Sequence, residues 1–149
     1  AGACNKKLIL AGIIQDQAYY DQYVAPHITG DQVIYVGSVG PAERNHLLGR
    51  ACALLHPIQF DEPFGLSVIE SMACGTPVIA FNRGSMPELI ENGKTGFLVN
   101  SVDEAIESVT HIKEIDRAYC RRHVEVHFTV DRMINEYIQV YEMILGKDS

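Results

Sequence analysis

Two glutamates eight positions apart, Glu62 and Glu70, bracket the segment Glu62-Pro63-Phe64-Gly65-Leu66-Ser67-Val68-Ile69-Glu70. A carboxylate accepts several hydrogen bonds at once, so one placed at a binding crevice suits the vicinal hydroxyls of a ribose or a sugar. Gly65 opens an apolar stretch that runs to Ala73 and is followed by Gly75 and Pro77. That is the pattern of a helix beginning near Gly65 and closed by a glycine cap. The N–H groups of Phe64, Gly65 and Leu66 would then lack intrahelical partners at the positive end of the helix dipole, a ready anion site. Gly65 has no Cβ to hold a ligand off the backbone. Glu70 lies one to two turns inside, and helical side chains lean back toward the N-terminus, so it can reach the same mouth as Glu62. An anion cradle flanked by two hydroxyl acceptors has the polarity of a nucleotide-sugar. The dipole alone also favours Glu near a helix start, and two Glu at this spacing arise by chance. The spacing therefore leaves both a ligand site and a plain helix start open.

The elements that must position this segment alternate. Residues 7–12, 33–37, 53–57, 78–81 and 96–99 are short apolar runs bounded by Gly or Pro. The first reads as a strand buried on both faces. Between them lie helical patterns: 16–25, stopped before Pro26; a helix opened by Pro41, with Leu47, Leu48 and Ala51 inside; 65–73; and 87–90. Ser101 and Glu104 form a capping box for a helix with Val102, Ala105, Ile106 and Val109 inside. Residues 116–126 form another, and Thr129 caps a last one over 130–145. Alternating strands and helices predict right-handed βαβ units: an α/β, doubly wound parallel sheet, Rossmann-like, in one domain covering 1–149. Ligands of such sheets bind beyond the carboxyl ends of the strands, where the loop before Glu62 ends.

The formal net charge is −7, and Lys and Arg cluster no further than Lys6-Lys7 and Arg121-Arg122. A nucleic-acid partner needs a basic stripe, so that class is set aside. No apolar run is long enough for a transmembrane segment, and the N-terminus lacks a signal-peptide layout. The four cysteines, Cys4, Cys52, Cys74 and Cys120, contain no C-x-x-C pair. They read as reduced thiols of a cytoplasmic protein rather than a zinc site, with peripheral attachment to a membrane left open. The chain opens Ala1-Gly2-Ala3-Cys4 without Met and runs almost at once into a strand, as an excised fragment would.

The stretch Glu62-Pro63-Phe64-Gly65-Leu66, then Glu70, Met72-Ala73 and Gly75-Thr76-Pro77-Val78-Ile79-Ala80, resembles the E-x7-E signature of retaining glycosyltransferases of family 4, which have the GT-B fold. Val36-Gly37-Ser38-Val39 is similar to the family's preceding strand and loop. Gly84-Ser85, Pro87-Glu88, Asn92-Gly93 and Thr95-Gly96-Phe97-Leu98-Val99 are similar to its next motif, and Phe128-Thr129 with the following helix to its closing segment. The resemblance covers roughly residues 7–145. It implies the C-terminal, donor-binding half of a glycosyltransferase that takes a UDP-, GDP- or ADP-sugar. Glu62 would be the catalytic-site residue holding donor-sugar hydroxyls. Phe64, Gly65 and Leu66 would offer N–H groups to sugar and phosphate, and Glu70 would grip the ribose. The Val39 loop would lie against the base, and Gly12 would let the donor approach the first strand. The family needs no bound metal and no further cofactor, and no Asp-x-Asp motif occurs here.

The resemblance also implies parts this chain does not contain. The family's Arg and Lys for the diphosphate stand upstream of the segment matched by residues 7–12, and the acceptor-binding N-terminal domain precedes them. Lys6 and Lys7 stand at the wrong end of the strand to replace that pair. By this reading the fragment alone is inactive, and the apolar stripe of 130–145, which in the family crosses to the missing domain, folds back on its own sheet or self-associates. The rival reading is a non-catalytic nucleotide-binding or regulatory module on the same half-fold. A nucleotide-sugar epimerase lacks identifiable acid–base residues here. His56 reads as a satisfied, half-buried histidine, Arg83 as a solvated loop arginine within reach of phosphate, Asp61 as a loop-tuning residue, and Tyr19, Tyr20, Tyr23, Tyr137 and Tyr141 as helix-face packing.

Overall fold

The computed structural model describes residues 2–146. Ala1, on which the fragment reading rests, and residues 147–149, the end of the expected domain, lie outside the described residues. The chain forms parallel sheets with flanking helices, a Rossmann-like α/β architecture, in two compact units, Ala1–Leu47 and Leu48–Ser149.

In the first unit β1 (Leu8–Leu10) pairs in parallel with β2 (Val33–Tyr35), with Ile9 opposite Ile34. The connection is not the single helix that the sequence predicts. It begins as α1 (Gln17–Tyr19), capped by the Asp16 carboxylate accepting from Tyr19 N–H at 2.9 Å. It then widens into a π turn (Tyr20–Val24), in which Ala25 N–H donates to the Tyr20 carbonyl, and ends in a 3-10 turn (Ala25–His27). Pro26, which has no N–H to give an α ladder, sits in the first residues of that turn. β1 is not buried on both faces, for Ile9 is 44% exposed. Two strands and one short helical segment have too little apolar surface to cover both sides. Tyr20 does pack, its ring 5.4 Å from that of Tyr35, but Tyr19 and Tyr23 are exposed.

The second unit holds β3 (Leu54–His56), β4 (Val78–Phe81) and β5 (Gly96–Val99), all parallel in that order. β4 is central, which explains its unbroken apolar run: Val78, Ile79 and Ala80 are buried. Val68 and Met72 of α3 (Leu66–Ala73), Met86 of α4 (Met86–Leu89) and Cys120 of α6 (Arg117–His127) complete the core. Burial pushes the Cys120 thiol up to about 11, so it behaves as an inert apolar group. The end of α3 is a Schellman cap: Thr76 N–H donates to the Ser71 carbonyl at 2.9 Å and Gly75 N–H to that of Met72 at 2.8 Å. α5 (Val102–His111) starts on the expected box, with Ser101 Oγ accepting from Glu104 N–H. The Glu104 carboxylate reaches one residue further back than the motif requires, to Asn100 N–H. Its inner face is narrower than expected, since Val102 and Ile106 are exposed while Ala105 and Val109 pack against the core.

Arg117 locks this unit through a contact that no local pattern announces. Its guanidinium donates to the Ala51 carbonyl (2.6 Å), the Gly49 carbonyl (2.9 Å) and Thr76 Oγ1 (2.7 Å), while Thr76 Oγ1 donates to the Leu48 carbonyl. A lysine at this position reaches one of those acceptors instead of three. Arg117→Lys is therefore expected to lower stability by about 1–3 kcal/mol in urea denaturation, with the change carried by the midpoint rather than the slope. A midpoint equal to that of the wild type would contradict the clamp.

The final helix, α7 (Val130–Ile144), is capped by Thr129 as expected but does not fold back on the sheet. None of its residues is buried, and Tyr137, Tyr141 and Met133 are more than half exposed. The central strand of the sheet is already buried under the helices packed on it. Among the described residues, no helix is long and apolar enough to cross a membrane.

Candidate functional site

Glu62 sits half-buried in the loop between β3 and α3, and its peptide is fixed from the turn after β4. The Glu62 carbonyl accepts from Ser85 N–H at 3.0 Å, and Ser85 Oγ donates to the Phe64 carbonyl at 2.7 Å. Gly84, at φ 55°, lies so close that a Cβ there would stand 2.7 Å from both the amide nitrogen and the carbonyl oxygen of Glu62. Arg83 Nε pairs with Asp61 at 3.0 Å. An exposed pair of this kind adds little energy, so backbone and hydroxyl contacts do most of the fixing. Arg83 is exposed at the loop surface, as expected, with Asp61 as its ion-pair partner.

Gly65 is the N-cap of α3, in the left-handed region at φ 96°, and its carbonyl accepts from the N–H groups of Val68 and Ile69. It is buried. A Cβ would stand 2.7 Å from Met86 Cε and 3.2 Å from Leu89 Cδ1. The expected role of this glycine was ligand approach; the fold requires it for conformation and core packing. The helix starts at Leu66, so the amides of the first turn precede the intrahelical ladder, and Glu70 lies half-buried one turn further on. The structure thus gathers Glu62, Phe64, Gly65 and Leu66 at the start of one helix, with Glu70 on it. The side chains of Phe64 and Leu66 go elsewhere: with Phe128, Met133 and Tyr137 they line a largely apolar groove of ≈ 720 Å³ that neither glutamate lines.

Gly12 and Val39 belong to the first unit. Gly12, at φ 147°, donates its N–H to the Gly37 carbonyl at 2.8 Å and accepts from Tyr35 OH at 2.7 Å. It borders a crevice of ≈ 360 Å³ with Ile13, Asp16, Tyr19 and Tyr20. Val39 is half-buried in the loop between β2 and α2 (Pro41–Arg50).

Sequence reasoning missed three features. The clamp on Glu62 from Gly84 and Ser85 was visible only as part of a motif, with no hint of the approach it makes. Glu91 accepts from Tyr119 OH at 2.6 Å and Lys94 at 2.7 Å, and the hydrogen bonds from Lys94 and Tyr119 hold its carboxyl below the usual range. The third is His56, which is not satisfied: its Nε2 is buried without a hydrogen-bond partner among the described residues. Burial holds that imidazole below its ordinary value, opposed by the negative charge of Glu62. Among the described residues, no group of three or more His, Cys, Asp or Glu is placed to hold a metal ion.

Comparison with known proteins shows the family and the fold. The family described as Glycosyl transferases group 1 matches residues 4–124. An uncharacterized 41.2 kDa protein in the cps region of Klebsiella pneumoniae is 36% identical over 121 residues, 77% of this chain and 34% of that protein. The crystal structure of AviGT4, a glycosyltransferase involved in avilamycin A biosynthesis, superposes with a TM-score of 0.77 at 25% identity, covering 99% of this chain and 46% of that one. Anabaena Alr3699/HepE, solved in complex with UDP-glucose, shares the fold at a TM-score of 0.75 and 22% identity, covering 92% and 41% of the two chains. The chain spans about a third or less of the first curated relatives it matches.

Proposed function

Because this chain belongs to the glycosyl transferases group 1 family, we propose that it is the donor-binding part of a retaining, family 4 glycosyltransferase using a UDP-, GDP- or ADP-sugar. The observation that carries the reading is the Glu62 peptide held by Gly84 and Ser85 ahead of the Gly65 N-cap. A carboxylate mounted on a fixed peptide can read hydroxyl positions, because its aim does not drift. Glu62 holds hydroxyls of the donor sugar and is the residue nearest the chemistry. The amides of the α3 first turn face the sugar and phosphate at the positive end of the helix dipole. Glu70 accepts from the ribose hydroxyls. The known binding of UDP-glucose by the HepE fold relative supports a nucleotide-sugar as ligand.

Transfer itself requires an acceptor site and counter-charge for the diphosphate, which the reading assigns to a further domain and an upstream Arg and Lys. The chain alone then binds donor without turnover. Calorimetric titration with UDP-glucose, GDP-mannose and ADP-glucose tests this. One of the three should bind, weakly, because charge-assisted phosphate contacts worth about 1.5–3 kcal/mol each are lacking. Saturable binding of none of them would overturn the reading.

A further inference from the structure

The crevice of ≈ 360 Å³ in the first unit opens at the carboxyl end of β1, the edge where ligands of parallel sheets bind. Three tyrosines border it, Tyr19, Tyr20 and Tyr35, with Asp16 and apolar side chains such as Ile13 and Val24. The rings are held by contacts. Tyr35 donates its hydroxyl to the Gly12 carbonyl at 2.7 Å, and the Tyr20 ring leans on it with centroids 5.4 Å apart. Tyr19 leans on Tyr23 in the same way, at 5.1 Å. Tyr20 and Val24 are the first and last residues of the π turn, a widening that recurs at functional sites. Among the described residues that border the crevice, Asp16 carries the only charge. One of its oxygens accepts from Tyr19 N–H at 2.9 Å, which ties the carboxylate to the start of α1.

This lining selects by charge and by hydration. Aromatic faces are electron-rich and attract a cation within about 6 Å of the ring centroid, and the carboxylate adds a full negative charge. An anionic ligand meets repulsion from Asp16 with no bordering lysine or arginine to offset it. A bare metal ion needs more oxygen ligands than one carboxylate. A primary ammonium needs acceptors for three N–H groups, which Ile13 and Val24 do not supply. An alkylated ammonium has no N–H groups to satisfy. We propose that this crevice binds a quaternary ammonium group of the choline type, with the rings of Tyr19, Tyr20 and Tyr35 around the cation and Asp16 as its counter-charge. None of these four side chains has a part in donor binding, so the inference does not rest on that reading.

NMR titration of the full chain with choline tests it, beside the uncharged isostere in which a tert-butyl group replaces the trimethylammonium. Choline should saturate with a Kd of about 0.1–10 mM, with shifts centred on Gly12, Asp16, Tyr19, Tyr20 and Tyr35, and the isostere should bind at least about tenfold more weakly. Tyr19→Leu, which keeps an apolar side chain but no aromatic face, should weaken choline about fivefold, and Tyr19→Phe should stay within about twofold of the wild type. Asp16→Asn removes the charge and keeps the cap, because asparagine caps a helix as well as aspartate does. It should weaken choline by roughly three- to tenfold with no change in circular dichroism. No saturation by about 100 mM choline, equal affinity for the isostere, or full affinity in Tyr19→Leu would overturn the proposal. Uridine or adenosine bound in the crevice more tightly than choline would overturn it too, by showing that the rings receive a neutral flat ligand.

Discussion

Gly84→Ala is expected to destabilise the chain by about 3 kcal/mol and to weaken nucleotide-sugar binding at least about tenfold. Two costs combine. A non-glycine residue at φ 55° pays roughly 1–2 kcal/mol of left-handed backbone strain. The added Cβ then meets the Glu62 amide nitrogen and carbonyl oxygen at 2.7 Å, which are backbone atoms and cannot rotate away. Overpacking of that kind costs about 1–3 kcal/mol. The loop must retreat, and the Ser85 N–H bond to the Glu62 carbonyl goes with it. Gly93→Ala is the control: it has φ 78° but open space around the new Cβ, so strain alone should cost it about 1–2 kcal/mol. Denaturation midpoints that fall equally in the two variants would show that Gly84 makes no special approach to Glu62.

A larger effect on binding is expected at the two carboxylates. Glu70→Ala should weaken the nucleoside diphosphate and the sugar nucleotide alike, by roughly 10–100-fold, because it removes ribose acceptors common to both. Glu62→Ala should weaken the sugar nucleotide by a similar factor and leave the diphosphate nearly untouched. The division follows from where each side chain is mounted. Glu62 stands in the loop ahead of the helix, held by Gly84 and Ser85, whereas Glu70 stands on α3 itself. Equal losses for both ligands at both positions would contradict the assignment of roles.

Much of the frame was legible in the sequence, and the reasons are local. The central strand β4 announces itself because burial on both faces demands an unbroken apolar run. The start of α5 is written in Ser101 and Glu104, and the end of α3 in Gly75 and Pro77. Features set by distant neighbours were not legible. Whether β1 is covered depends on what packs beside it, so its apolar run wrongly suggested two buried faces. Tyr137 and Tyr141 follow helical spacing, yet spacing does not supply a surface to pack on, and the helix stands uncovered. Arg117 and Thr76 are 41 positions apart, and no pattern marks them as partners.

At the candidate site the same division holds. The helix start at Gly65 and the carboxylates around it could be read from residue types. What holds the first carboxylate in place could not, since Gly84 acts by lacking an atom near the backbone of a remote loop. The orphaned nitrogen of His56 was invisible for the opposite reason: a histidine at a strand end is ordinarily satisfied, and only the surroundings reveal that this one is not.

The central claim, that the Glu62–Glu70 segment receives the donor, is tested most directly by mapping backbone amide shifts during titration with UDP-glucose, GDP-mannose and ADP-glucose. The expected result is one ligand whose shifts in the second unit centre on residues 62–70 and extend to Gly84 and Ser85, the residues that hold the Glu62 loop. Saturable shifts confined to another surface, with residues 62–70 unmoved, would contradict it.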